Sequence, residues 1–233
     1  MKKTLTTLAI ICLTSLTTLA QTTEGFYISK LGAKTEYAVT LGEKKRPNIG
    51  YSYLCKENTK VEVKEDGRTE VITKTLILNK KRKPSKLVGN KDGVFISLLM
   101  NADGSYEMGQ HMFGQASASH NSTGFMLKIP AEMKVGDEIE GGVTTTSQKM
   151  MGITYKQVET YSGFKVVKEE DITTPAGTFH CFLVTGSSLR ETKGGDVKCE
   201  HEFWFAKGIG LVLWKNYDGY TGLVNVELIS LSM

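Results

Sequence analysis

The sequence predicts an all-β protein, a strongly curved antiparallel sheet in the form of an open barrel or half-barrel built from two similar halves. Most segments are short runs rich in Val, Ile, Thr, Tyr and Phe, broken by Gly-containing and Lys-rich turns at hairpin spacing. No segment sustains an apolar stripe of helical period. The chain also matches itself: residues 30–65 laid on 134–169 without a gap give 11 identities in 36 positions, among them Lys30/Lys134, Gly32/Gly136, Val39/Val143 and Tyr51/Tyr155. A repeat of that length points to two halves, about 24–120 and 121–233, sharing one interior rather than to a short solenoid unit.

The first element is not part of the fold. Lys2 and Lys3, the apolar run Leu5 to Leu19, and Thr18-Leu19-Ala20 before Gln21 have the order of a secretory signal peptide, with cleavage expected after Ala20. Six Thr or Ser residues dilute Leu5 to Leu19, where a membrane span wants about 20 mostly apolar residues. Cys12 follows Ile11, where a lipoprotein signal wants a small residue. The expectation is export to the periplasm or cell surface as one β domain, residues 21–233.

Strands are expected at 35–41, 48–56, 59–64, 68–78, 93–100, 123–129, 138–147, 153–160, 162–168, 178–186, 197–206, 209–216 and 222–231. Turn chemistry marks the joins at Glu65-Asp66-Gly67, Asn101-Ala102-Asp103-Gly104, Pro175-Ala176-Gly177, Gly194-Gly195 and Asp218-Gly219. In the strand near the C-terminus, period-two alternation puts Cys199, His201, Phe203 and Phe205 on one face and Glu200, Glu202 and Trp204 on the other. Asn101 to Asn121 is the least regular stretch and too long for an ordinary hairpin loop.

Charge excludes one class of partner. The chain has 29 basic and 25 acidic residues, and loss of Lys2 and Lys3 brings the balance closer to neutral. That is no footprint for nucleic acid, and Lys80-Lys81-Arg82-Lys83 reads as a solvated loop. Cys55, Cys181 and Cys199 are an odd number for an oxidising compartment. A hairpin around Gly194-Gly195 leaves Cys181 and Cys199 some ~25 Å apart along the strands, unable to bond each other, while Cys55 is left open.

Chemistry-bearing motifs are sparse. There is no Gly-x-Ser-x-Gly elbow, His-Glu-x-x-His or Walker loop, and Gly208-Ile209-Gly210 is a turn between strands. The Cys199/His201 pair on one strand face reads as structural, since a thiol nucleophile needs closer contact and a lowered pKa. Met108, His111 and Met112 have a spacing a reduced copper ion accepts, against the simpler reading of an uncommitted His111; no cofactor or metal is expected. Seven of nine Met residues fall between Met100 and Met151. Thioethers pack adaptably, so Met108, Met112, Phe113, Met126, Met150 and Met151 are the candidate wall of an apolar ligand site, the alternative being gap-filling in a core.

Three stretches carry a family likeness: Ile129-Pro130-Ala131-Glu132-Met133-Lys134-Val135-Gly136-Asp137, then Asp171-Ile172-Thr173-Thr174-Pro175-Ala176-Gly177-Thr178-Phe179-His180-Cys181, then Trp204-Phe205-Ala206-Lys207-Gly208-Ile209-Gly210-Leu211-Val212. Together they resemble the TapB-like group of secreted bacterial proteins of unknown function. The resemblance implies a fold similar to the curved antiparallel sheets of periplasmic lipoprotein carriers, and it brings no catalytic residues.

A sheet curled this far has a concave apolar face, where small ligands bind. The first expectation is an exported, non-enzymatic binding or carrier module for an apolar or amphipathic small molecule. The second is a structural or interaction protein docking an envelope protein, with no small-molecule ligand and a filled core. The third is a hydrolase or isomerase with converging His, Cys or carboxylate groups. The volume and lining of the interior decide among them.

Overall fold

The structure, a computed structural model, describes residues 25–41, 52–85, 92–109, 120–150, 153–192, 195–218 and 222–233. Their regular elements are all strands: β1 Lys34–Leu41, β2 Tyr53–Val63, β3 Thr69–Leu78, β4 Val94–Met100, β5 Tyr106–Met108, β6 His120–Gly124, β7 Leu127–Ile129, β8 Glu138–Ile139, β9 Val143–Met150, β10 Ile153–Thr174, β11 Gly177–Glu191, β12 Val197–Ala206, β13 Gly210–Asp218 and β14 Gly222–Ser232. No helix among the described residues is long and apolar enough to cross a membrane. The expected signal segment lies outside the described residues.

The strands make one 14-stranded antiparallel sheet in the order β6-β9-β10-β11-β12-β13-β14-β1-β2-β3-β4-β5-β7, with β8 on β10. Each hairpin therefore pairs neighbours in the chain, and the first and last strands meet where β1 lies along β14 from Lys34↔Ser232 to Leu41↔Val224. Register shifts at Glu36/Tyr37, Asn58/Lys60, Ser162/Lys165, Val166/Lys168 and Trp204/Phe205 add local twist and curl the sheet. Its ends approach at a single bridge, Leu127↔Gly141, beside hydrogen bonds from Lys128 N to Glu140 O and from Gly142 N to Met126 O, both 2.9 Å. Among the described residues no continuous ladder closes it, so the barrel is open.

Inward residues of alternate positions fill the concave face, as the burial of Val71, Thr73, Thr75 and Ile77 on β3 illustrates. The main cluster joins β4, β5, β7, β8, β10, β11 and β12 around Phe26, Tyr106, Phe164, Phe203 and Phe205, all at most 2% exposed. A second cluster, Tyr37, Val39, Leu54, Ile77, Val226 and Leu228, lies under β1, β2, β3 and β14. Behind β11 to β13 the convex face is also covered, with Cys181, Leu183, Trp204 and Val212 buried together.

Several expected boundaries shift for local reasons. The segments 59–64 and the described part of 48–56 are one strand, β2, because the irregularity at Asn58/Lys60 displaces the register without ending it. Likewise 153–160 and 162–168 are one long β10, bent at Gly163, whose φ of +67° sits inside a register shift. The expected strand 123–129 divides into β6 and β7, which go to opposite ends of the sheet. The irregular stretch after Asn101 contains the short β5.

Before β1, residues Gly25 to Lys30 lie against the concave side without being a strand. A turn then enters the sheet: Ala33 N donates to Lys30 O, Gly32 N to Asn58 O, and Asn58 N to Ala33 O. The same three bonds recur before β8, where Asp137 N donates to Lys134 O, Gly136 N to Val166 O, and Val166 N to Asp137 O. Gly32 and Gly136 have φ of +76° and +100°, values that L residues with a Cβ rarely adopt.

Candidate functional site

Of the residues named as a ligand wall, Met108 and Met126 have described side chains, and folding brings these two together in one cluster. Met108 and Met126 are 1% exposed and pack in the main cluster with Met100 and Met133. Both are buried among Leu127, Ile129, Tyr106 and the other members of that cluster. Met150 ends β9, with its side chain outside the described residues, and Met112, Phe113 and Met151 lie outside them altogether, as does His111. Among the described residues no group of three or more His, Cys, Asp and Glu side chains is placed to hold a metal ion.

Polar chemistry inside the sheet gathers in two places. In the first, Glu159 on β10, Ser188 and Arg190 on β11 and His201 on β12 face inward on adjacent strands, because Glu159 pairs with Arg190 in register. Ser188 Oγ donates to Glu159 Oε1 at 2.6 Å and lies 2.8 Å from His201 Nε2. Arg190 Nε and one Nη donate to the same carboxylate at 3.2 and 3.4 Å. A hydroxyl has one hydrogen; since Glu159 receives it, the proton between Ser188 and His201 sits on Nε2.

Aromatic rings wall this relay. His201 stacks on Phe203 and Trp214 with centroids 5.7 and 6.2 Å away, and meets Tyr161 and Phe164 at 5.6 and 6.0 Å. Phe164 lies flat over Gly186, where an added Cβ would be 2.5 Å from its ring. The order of the groups opposes nucleophilic chemistry. In a serine hydrolase the imidazole takes the serine proton, whereas here Ser188 gives its proton to a carboxylate and His201 already holds one on the facing nitrogen. Glu159, Ser188 and His201 are each 2% exposed, so the relay is a buried clasp joining three strands.

The second place is a cavity of about 30 Å³ lined by Tyr27, Ile28, Ala33, Thr35, Tyr37, Lys56, Asn58 and Ile209, room for a single water. Lys56 is half-buried, its nitrogen 5.2 Å above the Tyr37 ring, and burial pulls its ammonium down to about 8. Burial raises the Tyr37 phenol, whose hydroxyl donates to Leu211 O at 3.0 Å. Asn58 is held by Thr73, whose hydroxyl donates to Oδ1 at 2.9 Å, and its own amide donates to Ile28 O at 2.7 Å.

The described cysteines and His180 make no catalytic grouping with one another. Cys55, Cys181 and Cys199 form no disulfide among the described residues. Ser188, not Cys181, faces Cys199 in register. Burial, with Asp171 and Glu170 nearby, pushes the Cys181 thiol up to about 12, far from a nucleophile's range. His180 is exposed between Asp171, 2.9 Å from Nδ1, and Glu169, 3.3 Å from Nε2, and their hydrogen bonds raise its pKa.

Sequence reasoning named His201 only as a neighbour of Cys199 and did not name Glu159, Ser188, Arg190, Lys56 or Asn58. Strand parity was the available signal: Glu159 and Tyr161 share a face of β10, so a core aromatic there brings a carboxylate inward with it.

Residues 56–228 match the DUF3108-like family, and that span includes all three stretches that carry the TapB-like resemblance. No curated protein matches the chain. Two crystal structures share the fold. One is of a protein from Bacteroides fragilis described as exported and with a YmcC-like fold, at a TM-score of 0.71, 17% identity, and coverage of 90% of this chain and 100% of that one. The other is of a protein from Parabacteroides distasonis described as a lipoprotein, at a TM-score of 0.68, 15% identity, and coverage of 90% and 99%.

Proposed function

The chain belongs to the DUF3108-like family, and within it we propose a role as an exported, non-enzymatic interaction module of the bacterial envelope whose curled sheet is a rigid scaffold for docking another envelope protein. The carrying observation is the filled interior. Among the described residues Phe26, Met108, Met126, Leu127, Phe203 and Phe205 occupy the concave face at 0–1% exposure, and the cavity beside Lys56 is about 30 Å³, against the several hundred Å³ typical of small-molecule pockets. A larger cleft of about 320 Å³ opens at the surface among Asp103, Lys128, Glu138 and Glu140, a charged lining unlike that of an apolar ligand's site. Export is supported by the signal-like N-terminus and by the descriptions of the two proteins of like fold. Cross-linking in intact envelopes followed by purification tests it: a partner retained at one-to-one stoichiometry supports docking, and a chain recovered alone at every cross-linker length removes it.

A carrier role for an apolar or amphipathic molecule is the second reading, favoured by the meeting of Met100, Met108, Met126 and Met133 in one cluster. Four adaptable thioethers let a core repack around a guest. Met108, Met112, Phe113, Met126, Met150 and Met151 are the residues it proposes as the wall. Saturable binding of a fluorescent fatty acid, weakened by Met126→Ala, supports it; binding no better than to a control protein removes it.

A further inference from the structure

Residues 25–30 are held the way a groove holds a peptide. They belong to no strand, and their carbonyls are taken by groups from separate parts of the chain. Gly208 N donates to Gly25 O at 2.8 Å, and the buried Tyr106 hydroxyl donates to Phe26 O at 2.8 Å. The Asn58 amide donates to Ile28 O at 2.7 Å and to Lys30 O at 3.2 Å. These donors are fixed in advance, Tyr106 on β5 and Asn58 on β2, the latter oriented by Thr73.

One side chain anchors the segment. Phe26 is wholly buried, edge-on to Phe182 with centroids 5.6 Å apart, and Tyr27 packs on Tyr106 at 5.5 Å. Main-chain capture combined with one aromatic in a desolvated pocket is the pattern of extended-peptide recognition. The link to β1 runs over the surface: Leu31 is 62% exposed and Gly32 has nothing within 4 Å of where a Cβ would be, with backbone bonds of the turn to Asn58 as its hold on the sheet.

We propose that this seat is a recognition site for an extended peptide strand with an aromatic anchor, offered by another envelope polypeptide, and that residues 25–30 are its internal occupant, which leaves when the partner docks. A peptide fits rather than an acyl chain because the donors read four carbonyls along six residues, and a hydrocarbon has none to offer. The inference rests on the interaction reading only for where the partner comes from; the seat's exchange of occupants is tested without it.

The test inserts a protease site between Leu31 and Gly32 of the full chain, cuts it, and adds a fluorescein-labelled peptide of residues 22–31. The nicked protein should take up one labelled peptide saturably, and a peptide carrying Phe26→Ala should compete at least about ten-fold more weakly. Tyr106→Phe in the protein should weaken uptake about three- to ten-fold. A nicked protein that keeps its far-ultraviolet strand signal yet takes up no peptide overturns the proposal, as does equal competition by the Phe26→Ala peptide. Unfolding on nicking also counts against it, because an occupant that can leave is not required by the sheet. Successful exchange with no cross-linked envelope partner sinks the interaction reading and spares the seat.

Discussion

Ser188 gives its hydroxyl hydrogen to Glu159 across 2.6 Å, and that single bond decides which nitrogen of His201 is protonated. Three strands are thus locked in one register by a chain of bonds with no solvent access. Removing the middle member leaves a buried acceptor and a buried donor facing each other without contact. Ser188→Ala is expected to lower unfolding stability by about 1–3 kcal/mol, read as a shift in urea midpoint at constant slope. A midpoint equal to that of the parent protein refutes the clasp.

Phe164 and Gly186 are a packing pair of the same region. Gly186→Ala puts a Cβ about where the ring lies, 2.5 Å from its nearest atoms, and overpacking of this kind costs about 1–3 kcal/mol. Phe164→Leu vacates the ring plane, so in the double variant the alanine penalty should shrink. A double-mutant cycle measures the coupling; additive effects refute the contact.

Lys56 should make stability rise with pH. Burial lowers its folded value to about 8 from the ordinary 10.5, so between those values the unfolded chain binds the extra proton and unfolding is progressively disfavoured as pH climbs. Below pH 8 both states are charged and the full cost of the buried ammonium is present. Lys56→Met should therefore gain on the order of 1–2 kcal/mol at pH 7, with the advantage fading towards pH 10.5, in chemical denaturation at several pH values. A constant difference across that range contradicts it.

His180 has the opposite sign. Its folded value is raised by Asp171 and Glu169, so the stabilisation is fully present below the ordinary histidine value of 6.5 and is lost as pH rises through the folded value. His180→Ala should reduce the thermal midpoint at pH 5.5 and leave it nearly unchanged at pH 8.5. The site is exposed, so added salt should shrink the effect.

The sheet was legible in the sequence because its determinants are local. Val, Ile and Thr runs with turn residues at Glu65-Asp66-Gly67, Asn101-Ala102-Asp103-Gly104 and Pro175-Ala176-Gly177 place hairpins regardless of what packs on them. Where a strand bends without ending, as at Gly163 in β10, a local signal reads as a break. The clasp and the seat were not legible, since Glu159, Ser188 and His201 lie far apart in the chain and meet only through registers the sequence does not display.

Duplicated halves stand as a proposal, supported by the matching turns at Gly32 and Gly136. The ungapped match pairs Asn58 with Ser162, whereas the residue bonded to the second turn is Val166, four positions later. A duplication would therefore include a slip in the returning strand, which an ungapped comparison cannot follow.

The account's central claim is that this curled sheet encloses its own side chains and acts through docking. Native mass spectrometry of the protein released gently from its own envelope is the most direct test. The predicted spectrum shows the mature chain with a protein partner and free of lipid; a stoichiometric lipid-sized adduct that survives purification and departs on Met126→Ala would contradict it.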